Sequence, residues 1–452
     1  MNHDRLDGNK TITDVVCTAC GCVCDDINVT VRENRIVAAE RACPLGDAWF
    51  LQDRSADAPV ARIAGQPVPL DDALEEAAQI LAAARYPLVY GLSDTSCEAQ
   101  RGAVAIADWI GGNVDTSTSM FHGLSGMAFA GVGEVTSTLG EVRHRGDLVI
   151  FWGSNPAESH PRHAERYSLD PVGIFVPGGR ANRTCVVVDV QRTATAERAD
   201  IFLQIEPGHD FEALWVLRAL AKGLELEAAA VASETGVPLS AWQDLMARMK
   251  RAHFGVIFFG LGLAMTRGRY LNGEAVLALT RDMNAFTRFV CLPMRGKGNV
   301  AGADNVLLWT TGYPFGVNFA RGYPRYNPGE YTAAAMLARG ETDAALIVAG
   351  DPFSDFDVLA RERLAAVPMI CLDTQETATT QAARVAIRTA TYGIHTPGTV
   401  YRMDDVPLPL RPAIDSTYPS DVEVLGRIET RVKELRGYGR SRPVTADRPR
   451  LA

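Results

Sequence analysis

Two segments that lie far apart in the chain are similar in sequence. The segment DVQRTATAERAD begins at Asp189, and DTQETATTQAAR begins at Asp373. They share an Asp, a Gln, a Thr-Ala-Thr and a later Ala at the same offsets. Two further pairs of strand-like segments match in the same way, VIFWGSNP with LIVAGDP and VYGLSD with FFGLGL. A repeat on this scale predicts two related units, which we interpret as Rossmann-like halves over about 86–206 and 253–388.

The rest of the chain alternates between apolar runs and amphipathic stretches. Apolar residues recur at three- and four-residue spacing over 71–85, 98–110, 210–224, 239–251 and 422–435, and this pattern predicts helices. Strand-like runs that alternate with helices are typical of an α/β fold with mainly parallel sheets. The predicted domains are a cysteine-rich β region (1–69), a first half (70–207), a helical connector (208–252), a second half (253–390) and a C-terminal extension with a disordered basic tail (391–452).

Most of the predicted strands run directly into a Gly, Asn or Asp. In parallel sheets, ligands bind beyond the carboxyl ends of the strands, where Gly permits close approach and Asp or Asn binds polar groups. At any single strand end, the simpler interpretation is a turn-forming residue. The repeated D-x-Q-x-T-A-T pattern favours a binding role, and a duplicated half implies a duplicated or elongated ligand. The chain has no P-loop sequence, and GLGLAM is too degenerate to predict a dinucleotide site.

Five of the nine cysteines lie in one short N-terminal region. Cys17, Cys20 and Cys24 follow a C-x2-C-x3-C spacing, Cys43 comes later, and Cys22 is left over. Between them, DINVTVRENRIVAAE alternates as two short strands about a polar turn, which would bring the distant cysteine back to the loop. Four thiolates in this arrangement favour a [4Fe-4S] cluster. A structural zinc and unligated thiols remain alternatives, although zinc ribbons usually show two C-x2-C pairs.

Composition excludes some partners. The net charge of −9 and the pI near 5.5 argue against nucleic acid, because affinity for nucleic acid comes mainly from basic residues. No apolar run follows a basic start, and the longest apolar stretch, 254–265, is too short to cross a bilayer. We therefore expect a cytoplasmic protein with no membrane partner. In that compartment thiols stay reduced, which favours metal binding over disulfides.

Several longer segments resemble the B subunit of formylmethanofuran dehydrogenase, a family of the molybdopterin oxidoreductase superfamily. They are CTACGCVCDDI, HGLSGMAFAGVGEVTSTLGEVRHRGDLVIFWGSNPAESHPRH, VVVDVQRTATAERAD, PMRGKGNVAG and TTGYPFGVNFARGYPRYNPGE. The resemblance extends from residue 15 to about residue 388. It implies a reaction that interconverts carbon dioxide and the formyl group of formylmethanofuran. It also implies a tungsten or molybdenum held by two pterin dithiolenes and one cysteine.

The metal-ligating residue of this family immediately precedes a His-Gly pair, and here that position is Phe121. A phenyl ring has no lone pair for a metal, and no Cys occurs between Cys97 and Cys185. Ser119 or Ser125 could supply an oxygen only with a change of register. Relatives also often place a Lys between cluster and pterin, but residues 44–69 contain none. The molybdenum or tungsten pterin is therefore expected to be absent.

The resemblance assigns further positions. His122 matches the conserved His beside the metal ligand, and Arg295 matches the Arg that would bind formate or carbon dioxide through its planar fork. Both are expected to be remnants, and the alternative is that His122 packs in a polar pocket while Arg295 pairs with a buried carboxylate. We expect His160 and His163 near the edge of the former pterin site. The expected counterparts of the pterin site, now vacant, are Asn155, Asp189, Thr193, Gly350, Asp351 and Asp373.

The same set of subunits occurs in the formyltransferase/hydrolase complex of methylotrophic bacteria, which moves no electrons. There a formyl group passes from tetrahydromethanopterin to a methanofuran-like carrier and is hydrolysed to formate by a zinc amidohydrolase-like A subunit. Because Phe121 replaces the metal ligand, we expect a non-redox B subunit of that complex, with the A, C and formyltransferase-like D subunits as partners. The alternatives are a working dehydrogenase with metal bound by pterin sulfurs, and a structural protein without any ligand.

Overall fold

The computed structural model describes residues 10–54 and 58–437. Its N-terminal region is a three-stranded antiparallel sheet followed by a helix: β1 (Lys10–Val15), β2 (Ile27–Arg32), β3 (Arg35–Glu40) and α1 (Pro44–Phe50). The β2–β3 hairpin turns at Glu33 and Asn34, both with positive φ, and Arg32 pairs with Arg35. The predicted hairpin is thereby confirmed. It returns the chain to the cysteine loop between β1 and β2.

The remaining strands and helices alternate along the chain. The strands are β4 (Ala61–Ile63), β5 (Gln66–Val68), β6 (Leu88–Gly91), β7 (Asn113–Thr116), β8 (Leu148–Trp152), β9 (Thr184–Asp189), β10 (Ile201–Gln204), β11 (Phe254–Phe259), β12 (Arg288–Pro293), β13 (Val317–Asn318), β14 (Arg325–Tyr326), β15 (Ala345–Val348), β16 (Met369–Asp373), β17 (Val385–Arg388), β18 (Gly398–Tyr401) and β19 (Pro407–Leu410). The helices are α2 (Leu70–Ala83), α3 (Cys97–Ile110), α4 (Thr118–Phe121), α5 (Gly123–Val132), α6 (Leu139–Arg145), α7 (Pro156–Ser159), α8 (Asp210–Ala221), α9 (Ala228–Thr235), α10 (Leu239–Arg251), α11 (Leu261–Ala264), α12 (Tyr270–Met283), α13 (Val300–Thr311), α14 (Pro328–Tyr331), α15 (Ala333–Arg339), α16 (Pro352–Asp355), α17 (Val358–Ala365), α18 (Ala378–Ala382) and α19 (Asp421–Leu435). The five predicted helices are present as α2, α3, α8, α10 and α19.

The strands form two large sheets with a common plan. One has nine strands in the order β14-β13-β7-β6-β15-β16-β17-β4-β5, and the other has five in the order β10-β9-β8-β11-β12. The sequence repeat equates β6 with β11, β8 with β15 and β9 with β16. With these equivalences, the parallel run β7-β6-β15-β16-β17 matches β12-β11-β8-β9-β10 strand for strand. The structure therefore contains the same five-stranded parallel unit twice, in an α/β fold.

The two units are interleaved along the chain. Strands β6 and β7 share a sheet with β15–β17 through the β6–β15 pair, whereas β8–β10 share the other sheet with β11 and β12 through the β8–β11 pair. The unit β8–β12 is thus inserted between β7 and β15 of the first unit. Each predicted half, 70–207 and 253–390, therefore contains strands of both sheets. Sequence similarity shows which strands are equivalent, but it does not show which strands pair. The predicted connector, 208–252, forms α8–α10 within the inserted unit.

Burial on both faces of the sheet explains why the parallel strands are continuous apolar runs in the sequence. Every residue of β8 and β11 is buried, as expected for parallel strands covered by helices on both faces. Trp152 of β8 stacks on Trp242 of α10 with ring centroids 6.3 Å apart. Both rings belong to the apolar core of the inserted unit.

The C-terminal segment packs onto the nine-stranded unit. Helix α19 contacts α2 and α3 through the buried Leu425 and Ile428. Arg436 then donates to the carbonyl oxygens of Leu81 and Ile110 at the ends of those two helices. Helix α19 and Arg436 are therefore part of this unit, whereas Ile394, Met403 and Ala413 pack in the core shared by the cysteine loop and the inserted unit. Residues 438–452, with most of the predicted basic tail, lie outside the described residues. None of the helices described for this chain combines the length and apolar character needed to cross a membrane.

Candidate functional site

Two cavities lie beyond the carboxyl ends of the parallel strands, as the sequence predicts for ligands of such sheets. The first has a volume of about 430 Å³ and follows the ends of β7, β8, β11 and β12. The second has a volume of about 280 Å³ and follows the ends of β6, β15 and β16. Each cavity belongs mainly to one of the repeated units. Lys297, in the loop after β12, lines both of them.

The first cavity has mostly apolar walls. Phe121, Leu261, Met294 and Val300 line it together with glycines that follow β8, β11 and β12. A Cβ built on Gly296 would meet no atom within 4 Å, so this backbone faces open space. Polar side chains such as Asn155 also line the cavity, so a ligand with both apolar and polar groups would be complementary to it.

The second cavity is acidic. Asp94, Asp351 and Asp373 line it, opposed by Lys297. Lys297 Nζ lies 3.8 Å from Asp94 Oδ2 and 3.9 Å from Asp355 Oδ2. Burial raises the pKa of Asp94, and it raises the pKa of Asp373 to about 7. The duplicated sheet therefore presents two cavities of different chemical character.

One hydrogen-bonded motif occurs in both units. In the inserted unit, Asn155 Oδ1 accepts from Thr195 N at 3.1 Å and from Thr195 Oγ1 at 2.7 Å. In the other unit, Asp351 Oδ1 accepts from Thr379 N at 3.1 Å and also from Thr379 Oγ1. Each threonine hydroxyl accepts in turn from a backbone N–H, at 3.1 Å and 3.2 Å. The motif fixes the loop after the central strand of each unit to the loop after its neighbour.

Replacing Thr379 with Val should lower the free energy of unfolding by about 1–3 kcal/mol, because one donor to a carboxylate and one acceptor for a buried N–H are lost. Thr195→Val is the matched control in the other unit, and it should cost less because its acceptor is a neutral amide. Urea titrations of both variants would measure the difference. A smaller loss for Thr379→Val than for Thr195→Val would contradict this interpretation.

The predicted counterparts of the pterin site are distributed unevenly. Asn155 lines the first cavity, and Gly350, Asp351 and Asp373 line the second. The other two predicted positions line neither cavity. Asp189 Oδ1 accepts from Gln191 N at 3.3 Å, and Thr193 Oγ1 accepts from Ala196 N at 3.3 Å, so both shape the turn after β9.

The position expected to hold the metal ligand lies in the wall of the first cavity. Phe121 ends α4 and His122 follows it, and both line this cavity. His122 Nε2 donates to Met294 O at 3.2 Å, while the buried Nδ1 has no hydrogen-bond partner. Burial lowers the pKa of His122 to about 3, so the ring is neutral.

The side chains at this position do not suit a pterin-bound metal that needs a protein ligand. No thiol is present among the described residues that line the first cavity. The two serines that could have supplied an oxygen do not line it either. Ser119 Oγ donates to Asp115 Oδ2 at 2.6 Å, and Ser125 is buried elsewhere. Ser117 and Ser154 do line the cavity, so hydroxyl groups are present there, but no thiol occupies the position of the expected ligand.

Arg295 is held by a carboxylate. Its Nη1 donates to Asp304 Oδ2, and the side chains of Arg295 and Asp304 are only 12% and 6% exposed. Asp304 Oδ1 also accepts from Thr116 Oγ1 at 3.2 Å. Arg295 does not line the first cavity, although its neighbours Met294 and Gly296 do. This geometry matches the alternative in which Arg295 pairs with a buried carboxylate.

Sequence reasoning missed Glu134, which lies near this ion pair. Burial raises the pKa of Glu134 to about 7, although the charge of Arg295 partly offsets the shift. One oxygen of this carboxyl group is buried without a hydrogen-bond partner. The surroundings of Arg295 therefore hold three carboxyl groups, those of Asp304, Asp405 and Glu134. No local pattern around Glu134 in the sequence indicates this proximity.

The two predicted histidines have different surroundings. His160 lines the first cavity, and its Nε2 donates to Arg295 O at 2.7 Å. His163 instead packs edge-on against Phe258 with ring centroids 4.6 Å apart. Its Nδ1 lies 3.0 Å from Ser168 Oγ. His160 thus lies at the cavity, and His163 lies in the core of the inserted unit.

The predicted cysteine ligands are close together. Cys17, Cys20 and Cys24 are buried, and Cys43 begins α1, where its Sγ accepts from Gly46 N at 3.5 Å. A Cβ built on Gly46 would lie 3.1 Å from Cys17 Sγ and 3.8 Å from Cys43 Sγ. The hairpin therefore returns Cys43 to the loop that carries the other three thiols. Val23 in this loop has a φ of 39°, an unfavourable value for a β-branched residue.

These thiols have the donor chemistry that an iron–sulfur cluster requires. Across residues 10–54 and 58–437, no three His, Cys, Asp or Glu side chains are arranged to hold a single metal ion. A cubane cluster spaces its four thiolates more widely than one ion does, because each thiolate binds a different iron. The ligand set Cys17, Cys20, Cys24 and Cys43 stays a prediction.

The cysteine loop packs against the loop that carries Lys297. Gly21 N donates to Gly296 O at 3.0 Å, and a Cβ on Gly298 would lie 2.1 Å from Thr18 O. A lysine thus lies between the cysteines and the cavities, although residues 44–69 contain none. It comes from the segment PMRGKGNVAG, whose position beside the cysteine loop depends on long-range packing.

Sequence comparison places these features in a known family. The chain is 44% identical to the B subunit of the tungsten-containing formylmethanofuran dehydrogenase 2 of Methanocaldococcus jannaschii over 436 residues, which cover 94% of this chain and 99% of that protein. This chain belongs to the family of formylmethanofuran dehydrogenase B subunits. No family model matches the chain.

Other relatives of this B subunit come from different complexes. It is 29% identical to the B subunit of the formyltransferase/hydrolase complex Fhc of Methylorubrum extorquens over 303 residues, covering 65% of this chain and 75% of that protein. The crystal structure of the FhcABCD complex of that organism with methylofuran contains a chain that matches with a TM-score of 0.68 and 25% identity, covering 83% of this chain and 99% of that one. The identity to the archaeal protein is higher, so overall similarity does not favour the Fhc complex.

A more distant structure supports the fold of this B subunit. Acetylene hydratase of Pelobacter acetylenicus matches with a TM-score of 0.68 and 13% identity, covering 95% of this chain and 70% of that one. The predicted molybdopterin oxidoreductase fold is confirmed. The comparisons also confirm that the family belongs to multi-subunit assemblies, since the relative from Methylorubrum extorquens is part of FhcABCD.

Proposed function

We propose that this chain is a non-redox B subunit of a formyltransferase/hydrolase complex. In this proposal the complex converts formyl-tetrahydromethanopterin to formate through a formyl-methanofuran-like carrier. The observation that carries the proposal is Phe121 in the wall of the first cavity, beside His122. Its ring cannot donate electrons to a metal, and no thiol replaces it among the described residues that line this cavity.

The chain's contribution would be to hold the other subunits of the complex. We propose the amidohydrolase-like A subunit, the C subunit and the formyltransferase-like D subunit as partners, in the cytoplasm. His122 and Arg295 would be remnants of a formate site. This proposal is supported by the engagement of Arg295 with Asp304 and by the neutral ring of His122.

We further propose a [4Fe-4S] cluster on Cys17, Cys20, Cys24 and Cys43. The burial of Cys17, Cys20 and Cys24 and the position of the Cys17 and Cys43 sulfurs beside Gly46 support it. In the absence of a metal at Phe121, such a cluster would stabilise the N-terminal region without delivering electrons to the first cavity. The cysteines would hold the β2–β3 hairpin and α1 together through their iron bonds.

The identity of 44% to a protein from a tungsten-containing enzyme favours one alternative, a working dehydrogenase. In that case the metal would have to be held by pterin sulfurs and a hydroxide or sulfide. This alternative predicts a redox activity, whereas the formyltransferase/hydrolase proposal predicts none.

Activity assays of the purified complex distinguish the two functions. We expect formate to form from formyl-tetrahydromethanopterin and the carrier at the same rate with oxidised or reduced viologen dye. Phe121→Leu keeps the wall apolar and should leave this rate unchanged. Formate-dependent dye reduction by the wild-type complex would overturn the proposal.

A further inference from the structure

Two buried arginines face the segment that follows Cys24. Arg162 donates to Asp26 through both terminal nitrogens, at 2.7 Å and 2.8 Å. Arg166 Nη2 donates to Asp25 Oδ1 at 2.7 Å. Asp25 and Asp26 come directly after Cys24, so these contacts fix the position of that cysteine relative to the inserted unit.

A widened helical turn places the two arginines. Residues Ala164–Ser168 form one turn of π-helix, a rare conformation that is frequent at functional sites. Arg166 N donates to Arg162 O at 2.9 Å at the start of this turn. Both guanidinium groups consequently point toward the cysteine loop.

Arg166 has an unused donor beside Cys24. Its side chain is 13% exposed, and its Nη1 is buried without a hydrogen-bond partner. This nitrogen lies 3.2 Å from Asp26 Oδ1, close enough for charge attraction. Because Arg166 also binds Asp25, the residue that directly follows Cys24, the guanidinium lies next to that cysteine. A buried guanidinium N–H that makes no hydrogen bond is costly unless a ligand accepts from it.

We propose that Arg166 is a positioning residue for the iron–sulfur cluster, with Nη1–H donating to the Cys24 sulfur and its charge compensating that of the cluster. The inference rests on the cluster proposed above. Four thiolates give such a cluster a net negative charge, which grows when it is reduced. A positive donor stabilises the reduced form more strongly, and hydrogen bonds to the sulfurs set the potential of such clusters. Arg166 should therefore raise the reduction potential of the cluster.

The test uses the anaerobically purified whole complex with wild-type chain, Arg166→Gln and Arg166→Lys. Arg248→Gln is the matched control, because it removes a half-exposed arginine of α10 whose ion pair is with Asp244, away from the cysteine loop. Iron per chain is measured first, and an EPR-monitored redox titration then gives the midpoint potential. Pulsed EPR of the reduced wild-type complex labelled with [15N]arginine detects a guanidinium nitrogen beside the cluster.

We expect Arg166→Gln to shift the midpoint potential to a more negative value, Arg166→Lys to shift it less, and Arg248→Gln to leave it unchanged. The wild-type complex should show a 15N coupling that disappears in Arg166→Lys. If Arg166→Gln does not assemble, the lysine variant and the wild-type coupling still decide the question. An unchanged potential or an absent coupling in an iron-loaded complex overturns the role of Arg166 alone. Absence of iron overturns the cluster as well.

Discussion

Replacing Arg295 with Ala is expected to lower the free energy of unfolding by about 3–5 kcal/mol, because it leaves Asp304 buried without its cation. Asp304 is 6% exposed, and after the change its remaining described hydrogen bond would come from Thr116 Oγ1. Urea unfolding of the purified chain or complex measures this loss. A loss of this size would assign Arg295 a structural role.

The double variant Arg295→Met with Asp304→Asn is the control for this interpretation. Replacing both members of a buried ion pair by neutral residues usually costs less than removing one of them. The double variant should therefore be more stable than Arg295→Ala. If Arg295→Ala unfolds with the wild-type free energy while formate production falls, the arginine acts on a ligand and not on Asp304.

Replacing Cys20 with Ala should lower the iron content of the chain. Cys20 is one of the four thiols predicted to bind a [4Fe-4S] cluster, and three thiolates leave one iron without a protein ligand. The iron content per chain is measured by iron analysis and an absorption spectrum after anaerobic reconstitution. The loss should be accompanied by easier proteolysis of the N-terminal region, because the thiols of the loop and of α1 would no longer be joined.

Cys22 offers a matched control for this experiment. It lies two residues away, it is fully buried, and it is the cysteine left over from the predicted ligand set. Cys22→Ala should retain the iron content of the wild-type chain. Equal iron contents in Cys20→Ala and the wild-type chain would contradict the ligand assignment. Loss of iron only in Cys22→Ala would show that Cys22, and not Cys20, is the ligand.

The sequence repeat correctly predicted the duplicated unit. The repeated polar residues make equivalent hydrogen bonds in both copies, which explains why they are the same or similar in sequence. Asn155 binds Thr195 as Asp351 binds Thr379, and the paired threonines occupy the same offset in the two copies of the repeat. The domain bounds could not be predicted in this way. Strands β6 and β15 pair although they lie far apart in the chain. Both are short, apolar and wholly buried, so nothing in their sequences indicates which strand lies beside them.

The candidate site was predictable only where a local motif marks it. Phe121 and His122 were found from their position in a family motif, and the structure places both at the first cavity. Lys297 was missed because its relation to the cysteines depends on the contact between Gly21 and Gly296, across most of the chain. Arg295 was predicted either to remain from an anion site or to pair with a buried carboxylate, but the identity of that carboxylate, Asp304, could not be recognised without the structure.

The metal content of the complex tests the absence of redox chemistry most directly. The complex should be isolated anaerobically from cells supplied with both tungstate and molybdate, and iron, tungsten and molybdenum should be determined per chain in one elemental analysis. With Phe121 in the ligand position, we expect iron without significant tungsten or molybdenum. Tungsten or molybdenum in stoichiometric amount with the chain would contradict the proposed non-redox function.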